Sequence, residues 1–428
     1  MTPTHMMQSD DNEKRGALFV MPSPCTGQSG PVAVWITAAG WAEAARKRCG
    51  SAWILTPNGV CSPDEAAELA TRPTLAPANQ RRWRRFVPMT LRTLAKDVLQ
   101  IRKARRYRGA ALDGPWNEHD LAFVWQRHDL FHTAGFELAR ARGVPLVLFV
   151  DAPLVWEARK WGVRRPGWGK LLELTGERRQ LRSADLVACV SDEVAKELMT
   201  RGVPPERIIV TPCSVDLDAF TPEASGESVR RRLGLEGKFV VGWLGSFRRF
   251  HGMELALQAA SQIQDRLPDL ALLLVGDGLE RARMERLAHD LGLRNVVFTG
   301  TVPYAEVAGH IGAMDVSLVL DRGEEGFHYS PLKLREYMAC GRAVIGPRVG
   351  ELDRLLTDGV DGLLVPPGDP EALAGAIEIL HGDPGRRRLL GSAARTRVAE
   401  EWSWDRQLER VLEALTSVKS PGEASLAP

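Results

Sequence analysis

The feature that most constrains the fold is an alternation of short, continuously apolar runs with longer segments of helical periodicity, in two successive series. A run that is apolar along its whole length suits a parallel strand buried on both faces by helices. The first series has expected strands at Ala17–Met21, Ala52–Leu55, Leu121–Trp125, Pro145–Val150, Leu186–Val190 and Ile208–Val210. The second has them at Phe239–Trp243, Leu270–Val275, Val296–Phe298, Val316–Leu320, Ala343–Ile345 and Leu363–Val365. Two such series predict two doubly wound α/β domains with a ligand cleft between them.

Size and composition narrow the class of protein. A chain of 428 residues exceeds one ordinary hydrophobic core and favours two domains. The formal net charge of +2 argues against a dedicated nucleic-acid-binding protein. The six cysteines form no C-x-x-C pair, which favours free thiols over a zinc site or a disulfide framework. Because the chain shows neither a secretory signal pattern nor a run of roughly eighteen apolar residues, we expect a cytoplasmic protein.

The segment 330–346 has the pattern of a helix that binds an anion at its N-terminus. Ser330 suits the N-cap and the proline after it suits the first helical position, which leaves the N–H groups of Leu332 and Lys333 for an anion. Lys333 adds a positive charge, and the carboxylate of Glu336, one turn on, can accept hydrogen bonds from two sugar hydroxyls. Diphosphate and ribose together indicate a nucleotide, although an ordinary capped helix packed on a sheet explains the same residues equally well.

A second candidate site follows the first strand of the second series. Gly245 comes directly after the strand, and Arg248, Arg249 and His251 follow it closely. Glycine lets the backbone approach a ligand, and guanidinium groups pair with phosphate oxygens. The G-D-G sequence at 276–278 lacks the third glycine of a dinucleotide-binding motif and follows the second strand rather than the first. This position disfavours an NAD-dependent dehydrogenase.

Residues 79–108 interrupt the first series with a strongly basic segment. It carries eleven lysines and arginines against the single acid Asp97, interleaved with apolar residues that include Trp83 and Phe86. Such a segment suits an anionic membrane surface. The favoured alternative is a solvated helix on the surface of the domain, since charge runs are usually solvated.

Five motifs of the second series occur in the order typical of one enzyme family. They are G-S-F-R-R-F-H-G at 245–252, L-L-V-G-D-G at 273–278, V-V-F-T-G-T-V-P at 296–303, S-P-L-K-L-R-E-Y-M-A-C-G at 330–341 and D-G-L-L-V-P-P-G-D-P-E-A-L-A at 361–374. Together they resemble glycosyltransferase family 4, the retaining enzymes of the GT-B fold that use nucleotide sugars. The resemblance extends to 189–191, 211–216 and 402–404, whereas the first 110 residues match poorly.

The resemblance implies an α/β architecture of the GT-B type, with two doubly wound Rossmann-like domains facing a central cleft. The acceptor-side domain is expected at 1–220, with the basic insertion at 79–108, and the nucleotide-sugar-binding domain at 221–400. A last helix at 401–418 is expected to cross back to the N-terminal domain.

Carried over to this chain, the family pattern implies that Gly245 leaves room for the diphosphate. The family's usual arginine after that glycine is Ser246 here, and its usual lysine before the next glycine is His251. Arg248 or Arg249 is therefore expected to take over the phosphate contacts.

The resemblance also implies nucleoside contacts. Glu336, the second carboxylate of the family's paired-glutamate motif, is implied to bind the ribose hydroxyls. The first carboxylate, eight residues earlier, is His328 in this chain, and Glu324 and Glu325 lie nearby but out of register. The backbone of Gly300-Thr301-Val302 corresponds to the place where family members read the base.

In the N-terminal domain, family members place a histidine or an aspartate against the transferred sugar, which implies a catalytic position for Asp151. A carboxylate there can stabilise an oxocarbenium-like transition state, and the alternative is that Asp151 caps the following helix. Arg127 and His128, with His132 beside them, are candidates for acceptor contacts, although a lone histidine is more often structural. Glu157 is a weaker candidate of the same kind.

We therefore expect transfer of a hexose-type sugar, with retention, from a nucleoside diphosphate sugar to a hydroxyl of a glycan, a lipid-linked or a small-molecule acceptor. Arg248, Arg249 and Lys333 would stabilise the leaving diphosphate. No metal or other cofactor and no nucleic acid are expected, and the inner face of an anionic membrane is a candidate peripheral partner. The alternatives are a non-catalytic nucleotide-sugar-binding protein and a GT-B epimerase or phosphorylase.

Overall fold

The structure is a computed structural model that describes residues 15–22, 32–71, 88–160, 162–322 and 330–418. The chain forms two compact units, which we call unit 1 (Met1–Pro212 with Gln407–Pro428) and unit 2 (Cys213–Arg406). The domain boundaries expected from the sequence at 220 and 400 lie eight and six residues from these limits at 212 and 406.

The described residues of unit 1 form one sheet of seven strands. They are β1 (Arg15–Val20), β2 (Ser51–Thr56), β3 (Gly59–Cys61), β4 (Asp120–Arg127), β5 (Leu146–Val150), β6 (Leu186–Cys189) and β7 (Ile208–Val210). Their order is β3-β2-β1-β4-β5-β6-β7, and only β2 and β3 pair in antiparallel fashion. Strands β5 and β6 are buried along their whole lengths, because helices cover both faces of the sheet.

The helices of unit 1 pack an aromatic core against this sheet. They are α1 (Val32–Cys49), α2 (Pro63–Thr71), α3 (Met89–Leu112), α4 (Ala134–Arg142), α5 (Leu154–Lys160), α6 (Trp168–Leu171), the π-helical segment Leu172–Glu177, α7 (Arg178–Ser183) and α8 (Asp192–Thr200). Short 3-10 turns lie at Pro115–Glu118 and Pro205–Arg207. Trp41 of α1 lies 4.5 Å from the ring of Trp125, which lies 5.6 Å from Phe149. These large rings fix α1 over the centre of the sheet.

Unit 2 contains a six-stranded, fully parallel sheet. Its strands are β8 (Phe239–Leu244), β9 (Leu270–Val275), β10 (Val296–Gly300), β11 (Val316–Leu318), β12 (Ala343–Pro347) and β13 (Leu363–Val365). Their order is β10-β9-β8-β11-β12-β13, so that the chain runs outwards in both directions from β8 and β11. The carboxyl ends of two strands at such a reversal form the usual ligand crevice of this architecture.

Helices cover both faces of this sheet. They are α9 (Glu227–Leu233), α10 (Glu254–Ile263), α11 (Arg281–Asp290), α12 (Val307–Gly312), α13 (Leu332–Ala339), α14 (Leu352–Leu355), α15 (Pro370–Gly382) and α16 (Pro384–Glu401), with 3-10 turns at Arg249–His251 and Tyr304–Glu306. The last helix, α17 (Trp404–Ser417), begins in unit 2, and its residues from Gln407 onwards belong to unit 1. Alternate strand residues point to opposite faces, so Leu272 packs with Leu257 of α10, and Leu273 packs in the other core with Tyr337 of α13.

The sequence predicted most of this architecture. Every expected strand is present, with ends within two residues of those expected, and the short edge strand β3 was missed. The cysteines that the structure describes are free thiols, as predicted: Cys49, Cys61, Cys189, Cys213 and Cys340.

Most of the basic segment 79–108 forms part of helix α3. Residues 79–87 lie outside the described residues, Pro88 is the N-cap of α3, and residues 89–108 belong to α3. The buried face of α3 is anchored by Asp97, whose carboxylate accepts from Arg165 (2.9 and 3.2 Å) and from Trp168 Nε1 (3.0 Å). Across the described ranges, no helix combines the length and the apolarity needed to span a bilayer.

Candidate functional site

Three loops meet at the carboxyl edge of the unit 2 sheet, after β8, β9 and β10. The N–H group of Gly245 donates to the carbonyl of Val275 (2.9 Å), and that of Gly276 donates to Gly300 (3.0 Å). The loops that carry the predicted donor-binding residues are therefore held together by the main chain.

Two glycines allow these loops to touch. Gly276 and Gly278 have positive φ angles of 128° and 159°. A Cβ on Gly276 would overlap the carbonyl oxygen of Gly245, and one on Gly278 would lie 2.6 Å from that of Phe247. The G-D-G sequence is thus explained by packing between two loops, which accounts for its weakness as a dinucleotide-binding signal.

Lys333 lies against the end of β8. Its Nζ is 4.1 Å from the centre of the Trp243 ring, a cation–π contact. A Cβ on Gly245, whose φ is 150°, would lie only 2.7 Å from the same Nζ. The structure thereby brings together Gly245 and Lys333, two residues predicted to contact the diphosphate. A side chain at position 245 would strain the backbone and displace the ammonium group.

Burial changes the charge state of α13. It lowers the pKa of Lys333 to about 7, although the nearby carboxylate of Glu336 opposes this change. Burial raises the pKa of Glu336 to about 7, against the hydrogen bond from the Tyr304 hydroxyl (3.1 Å) and the positive charge of Lys333. Both groups therefore titrate near neutral pH, and an anion in front of Lys333 would favour its charged form.

The N-terminus of α13 differs from the prediction. Ser330 is not the N-cap: that position is Pro331, and no side chain caps the helix. The Ser330 hydroxyl instead accepts from the N–H group of Cys213 (3.1 Å), a residue far away in the sequence. The N–H groups of Leu332 and Lys333 still have no acceptor within the helix, so the predicted anion-binding end remains.

Contacts of its C-terminal half hold α13 in place. The Tyr337 hydroxyl accepts from the N–H group of Leu244 at the end of β8 (2.7 Å). Gly341, with a φ of 64°, follows the end of the helix, and its N–H group donates to the carbonyl of Met338 (2.9 Å). The side chains on α13 therefore have a fixed position relative to β8.

The loop after β8 is exposed where the sequence places its basic residues. Ser246, Arg248 and Arg249 are all exposed. Neither guanidinium group makes a hydrogen bond or an ion pair with another residue of the described chain. His251 is different, because it packs against Trp243 (5.5 Å between ring centres) and burial, with the charges of Lys333 and Arg248, lowers its pKa to about 2. His251 is thus neutral and does not replace the charge of the lysine usual in the family.

The remaining predicted donor residues are only partly placed. Thr301 is exposed and Val302 is half-buried, directly after β10. Arg281 lies beside them: its Nη1 would be 3.1 Å from a Cβ on Gly300. His328, like Glu324 and Glu325, lies outside the described residues.

In unit 1, Asp151 and Arg127 come together at the ends of β5 and β4. Arg127 Nε and Nη2 lie 2.8 and 2.7 Å from Asp151 Oδ2. The alternative that Asp151 caps α5 is wrong, because the first N–H groups of that helix, those of Leu154 and Val155, donate to the carboxylate of Glu177.

The other predicted acceptor-side residues are less exposed. The His128 side chain is only 2% exposed, and its Nε2 lies 3.2 Å from Glu177 Oε1. His132 is buried beside Asp129, 2.8 Å from its Oδ1, and Glu157 is half-buried on α5. His128 and His132 thus have partners within unit 1.

Sequence reasoning missed the residues that support this site. No role was predicted for Trp243, Tyr304, Tyr337 or Glu177. None has a motif of its own, since each acts on a partner far away in the chain.

Comparisons with known proteins agree with this arrangement. A model of glycosyltransferase family 4 matches residues 36–219, and a model of glycosyl transferases group 1 matches residues 238–383. The chain is 30% identical to a GDP-mannose-dependent alpha-(1-6)-phosphatidylinositol monomannoside mannosyltransferase of Mycolicibacterium smegmatis, over 72% of this chain and 79% of that protein. It is also 30% identical to a D-inositol 3-phosphate glycosyltransferase of Pseudarthrobacter chlorophenolicus, over 77% of this chain and 76% of that protein.

The fold is similar to that of solved glycosyltransferase structures. A sucrose-phosphate synthase from Thermosynechococcus elongatus aligns with a TM-score of 0.65 and 23% identity, over 94% of this chain and 100% of the other. The predicted fold class, α/β of the GT-B type with two Rossmann-like domains, is confirmed.

Proposed function

Since this chain belongs to glycosyltransferase family 4, we propose that unit 2 binds a nucleoside diphosphate sugar and that a hexose-type sugar passes to an acceptor hydroxyl bound by unit 1. The chain is a nucleotide-sugar-dependent glycosyltransferase. We infer the residues of the site, the stereochemistry of transfer and the class of acceptor.

The position of Lys333 carries the assignment of the donor site. Its ammonium group lies against Gly245 and the Trp243 ring, beside the free N–H groups at the start of α13. Negative charge grows on the diphosphate as the sugar leaves, and positioned donors stabilise that charge most in the transition state. Arg248 and Arg249, exposed on the loop after β8, are long enough and free enough to add to this stabilisation.

The nucleoside is assigned to the neighbouring residues. The buried carboxylate of Glu336 accepts hydrogen bonds from the ribose hydroxyls, and the hydrogen bond from the Tyr304 hydroxyl fixes its orientation. The backbone at Thr301 and Val302 reads the base. His328 stands at the position where family members contact the donor sugar, and we assign it no further role.

The chemical step we propose proceeds with retention. The bond between the anomeric carbon and the phosphate oxygen breaks, the acceptor oxygen bonds to the same face of that carbon, and the released phosphate oxygen takes the acceptor proton. Asp151 stabilises the positive charge that develops on the sugar. Both contacts of Arg127 with Asp151 go to Oδ2, so within the described chain Oδ1 is the oxygen left to face the sugar.

We propose a lipid-linked acceptor, and the supporting feature is α3. Four exposed side chains, Leu91, Leu94, Val98 and Ile101, recur at a spacing that puts them on one side of the helix. Exposed basic residues lie on the same helix: Arg92, Lys96, Arg102, Lys103 and Arg105. An apolar stripe beside basic side chains suits an anionic lipid surface. The mannosyltransferase relative carries a phosphatidylinositol mannoside in its name, which agrees with such an acceptor.

Titration calorimetry with GDP-mannose, UDP-glucose and related nucleotide sugars tests the donor site. We expect binding of at least one of them, and a loss of about tenfold to a hundredfold in affinity in Lys333→Met. Lys238→Met is the matched control, because Lys238 lies just before β8, at the opposite edge of the sheet. Equal affinity in both variants would contradict the assignment.

A further inference from the structure

Glu177 has a wholly buried carboxylate that joins three segments of unit 1. Its Oε1 accepts from the N–H groups of Leu154 (2.5 Å) and Val155 (3.3 Å) at the start of α5. The same oxygen lies 3.2 Å from His128 Nε2, just after β4. Glu177 itself ends the π-helical segment that leads into α7. One oxygen atom thus fixes the distance between the end of β4 and the start of α5.

The same two segments are also joined at the surface. Arg127, the residue before His128, pairs with Asp151, which stands shortly before Leu154. Neighbouring residues at the end of a strand point to opposite sides, so Arg127 reaches outwards (24% exposed) while His128 points inwards (2% exposed). The loop that carries Asp151 is therefore held from outside by Arg127 and from inside by Glu177.

The carboxylate of Glu177 contacts the start of α5 and His128. A carboxylate removed from water destabilises the fold unless hydrogen bonds and opposite charge compensate it. Here the compensation comes from the first N–H groups of α5, at the positive end of the helix dipole, and from the imidazole of His128. Within the described chain Glu177 Oε2 makes no hydrogen bond, so these donors all converge on Oε1. An apolar side chain would fill the same space without fixing where α5 begins.

We propose that Glu177 is a positioning residue of the transferase. Through α5 and His128 it holds the loop after β5 so that Asp151 meets the sugar at a fixed position. The inference rests on the proposed catalytic position of Asp151. It also assigns His128 to this buried contact rather than to direct contact with the acceptor.

Glu177→Gln tests the proposal with little change of volume, and Glu173→Gln is its matched control. Glu173 lies on the same π-helical segment and is also buried, but it pairs with Arg159 (3.2 Å), near the other end of α5. We expect Glu177→Gln to lower kcat about tenfold, with unchanged affinity for the donor, since small displacements of a catalytic group carry large rate penalties. Glu173→Gln should keep kcat within about twofold per folded molecule.

A double-mutant cycle separates positioning from a general loss of structure. If Glu177 acts through Asp151, then Glu177→Gln should have less than about a twofold effect on kcat in an Asp151→Asn background. Multiplicative effects of the two substitutions would overturn the proposal, as would equal losses in Glu177→Gln and Glu173→Gln.

Hydrogen exchange gives a readout that does not depend on activity. The N–H groups of Leu154 and Val155 should exchange faster in Glu177→Gln than in Glu173→Gln, without any substrate. Unchanged exchange at these two groups would overturn the proposal. Absence of transfer by the wild-type protein with every donor would instead contradict the proposed function, and the exchange result would still decide whether Glu177 fixes α5.

Discussion

Replacing Glu336 with glutamine should stabilise the ligand-free protein and weaken its binding of the donor. Burial raises the pKa of this carboxyl group from 4.5 to about 7. Between these two values the unfolded state binds fewer protons than the folded state, so the contribution of Glu336 to stability falls as pH rises from 4.5 to 7. Each pKa unit of this difference corresponds to about 1.4 kcal/mol, so the buried carboxylate destabilises the folded state above pH 7 by roughly 3 kcal/mol at most.

Glutamine removes this unfavourable charge and keeps an oxygen that can accept from Tyr304. We therefore expect Glu336→Gln to raise the free energy of unfolding by about 2 to 3 kcal/mol at pH 8 and by almost nothing at pH 5. Lys333 does not cancel this gain at pH 8, because its own pKa is about 7 and it is mostly neutral there. Donor affinity should fall about tenfold or more, since ribose hydroxyls would lose a charged acceptor.

Urea unfolding at the two pH values, together with calorimetry with the bound nucleotide sugar, measures both effects. Tyr304→Phe is a useful control because it removes the hydrogen bond to Glu336 and leaves the carboxylate in place. Loss of stability at pH 8 in Glu336→Gln, or unchanged donor affinity, would refute the reasoning that this carboxylate is buried for ligand binding.

Three further predictions follow from the charges of the site and of α3. Donor affinity should be highest near pH 7, because Lys333 loses its proton above that value and Glu336 gains one below it; calorimetry across pH checks this, and a flat profile would argue against both assignments. Arg248→Ala or Arg249→Ala should lower kcat more than donor affinity, because the charge on the diphosphate grows in the transition state; near-normal kcat in both would place the diphosphate elsewhere. Binding of the protein to anionic vesicles should fall steeply as salt rises, because salt shortens the Debye length over which the basic residues of α3 attract lipid charge. Co-sedimentation that does not depend on lipid charge would indicate that α3 is a solvated helix.

The sequence was sufficient for the architecture because strands and helices are encoded locally. A strand such as Leu270–Val275 is apolar at every position, and that pattern alone predicts burial on both faces. The pairing of β2 with β3 escaped prediction because Gly59–Cys61 is too short and too exposed to show a pattern.

The candidate site was only half predictable, for a different reason. Lys333 and Glu336 stand in a recognisable motif, but their pKa values depend on the burial of α13, on each other and, for Glu336, on the hydrogen bond from Tyr304. Ser330 was expected to cap α13, and only the folded chain shows that its hydroxyl accepts from the N–H group of Cys213 instead. Contacts between residues so far apart leave no spacing in the sequence.

The release of nucleoside diphosphate from a panel of nucleotide sugars, in the presence of candidate acceptors, tests the central claim most directly. We expect the wild-type protein to release nucleoside diphosphate from at least one donor and to transfer the sugar with retention. The proposed role of Lys333 leads to a second expectation. It predicts that Lys333→Met lowers this rate about a hundredfold or more, as expected for the loss of one positioned contact to the leaving group. Release that proceeds equally fast in Lys333→Met, or binding of nucleotide sugars with no release from any of them, would contradict it.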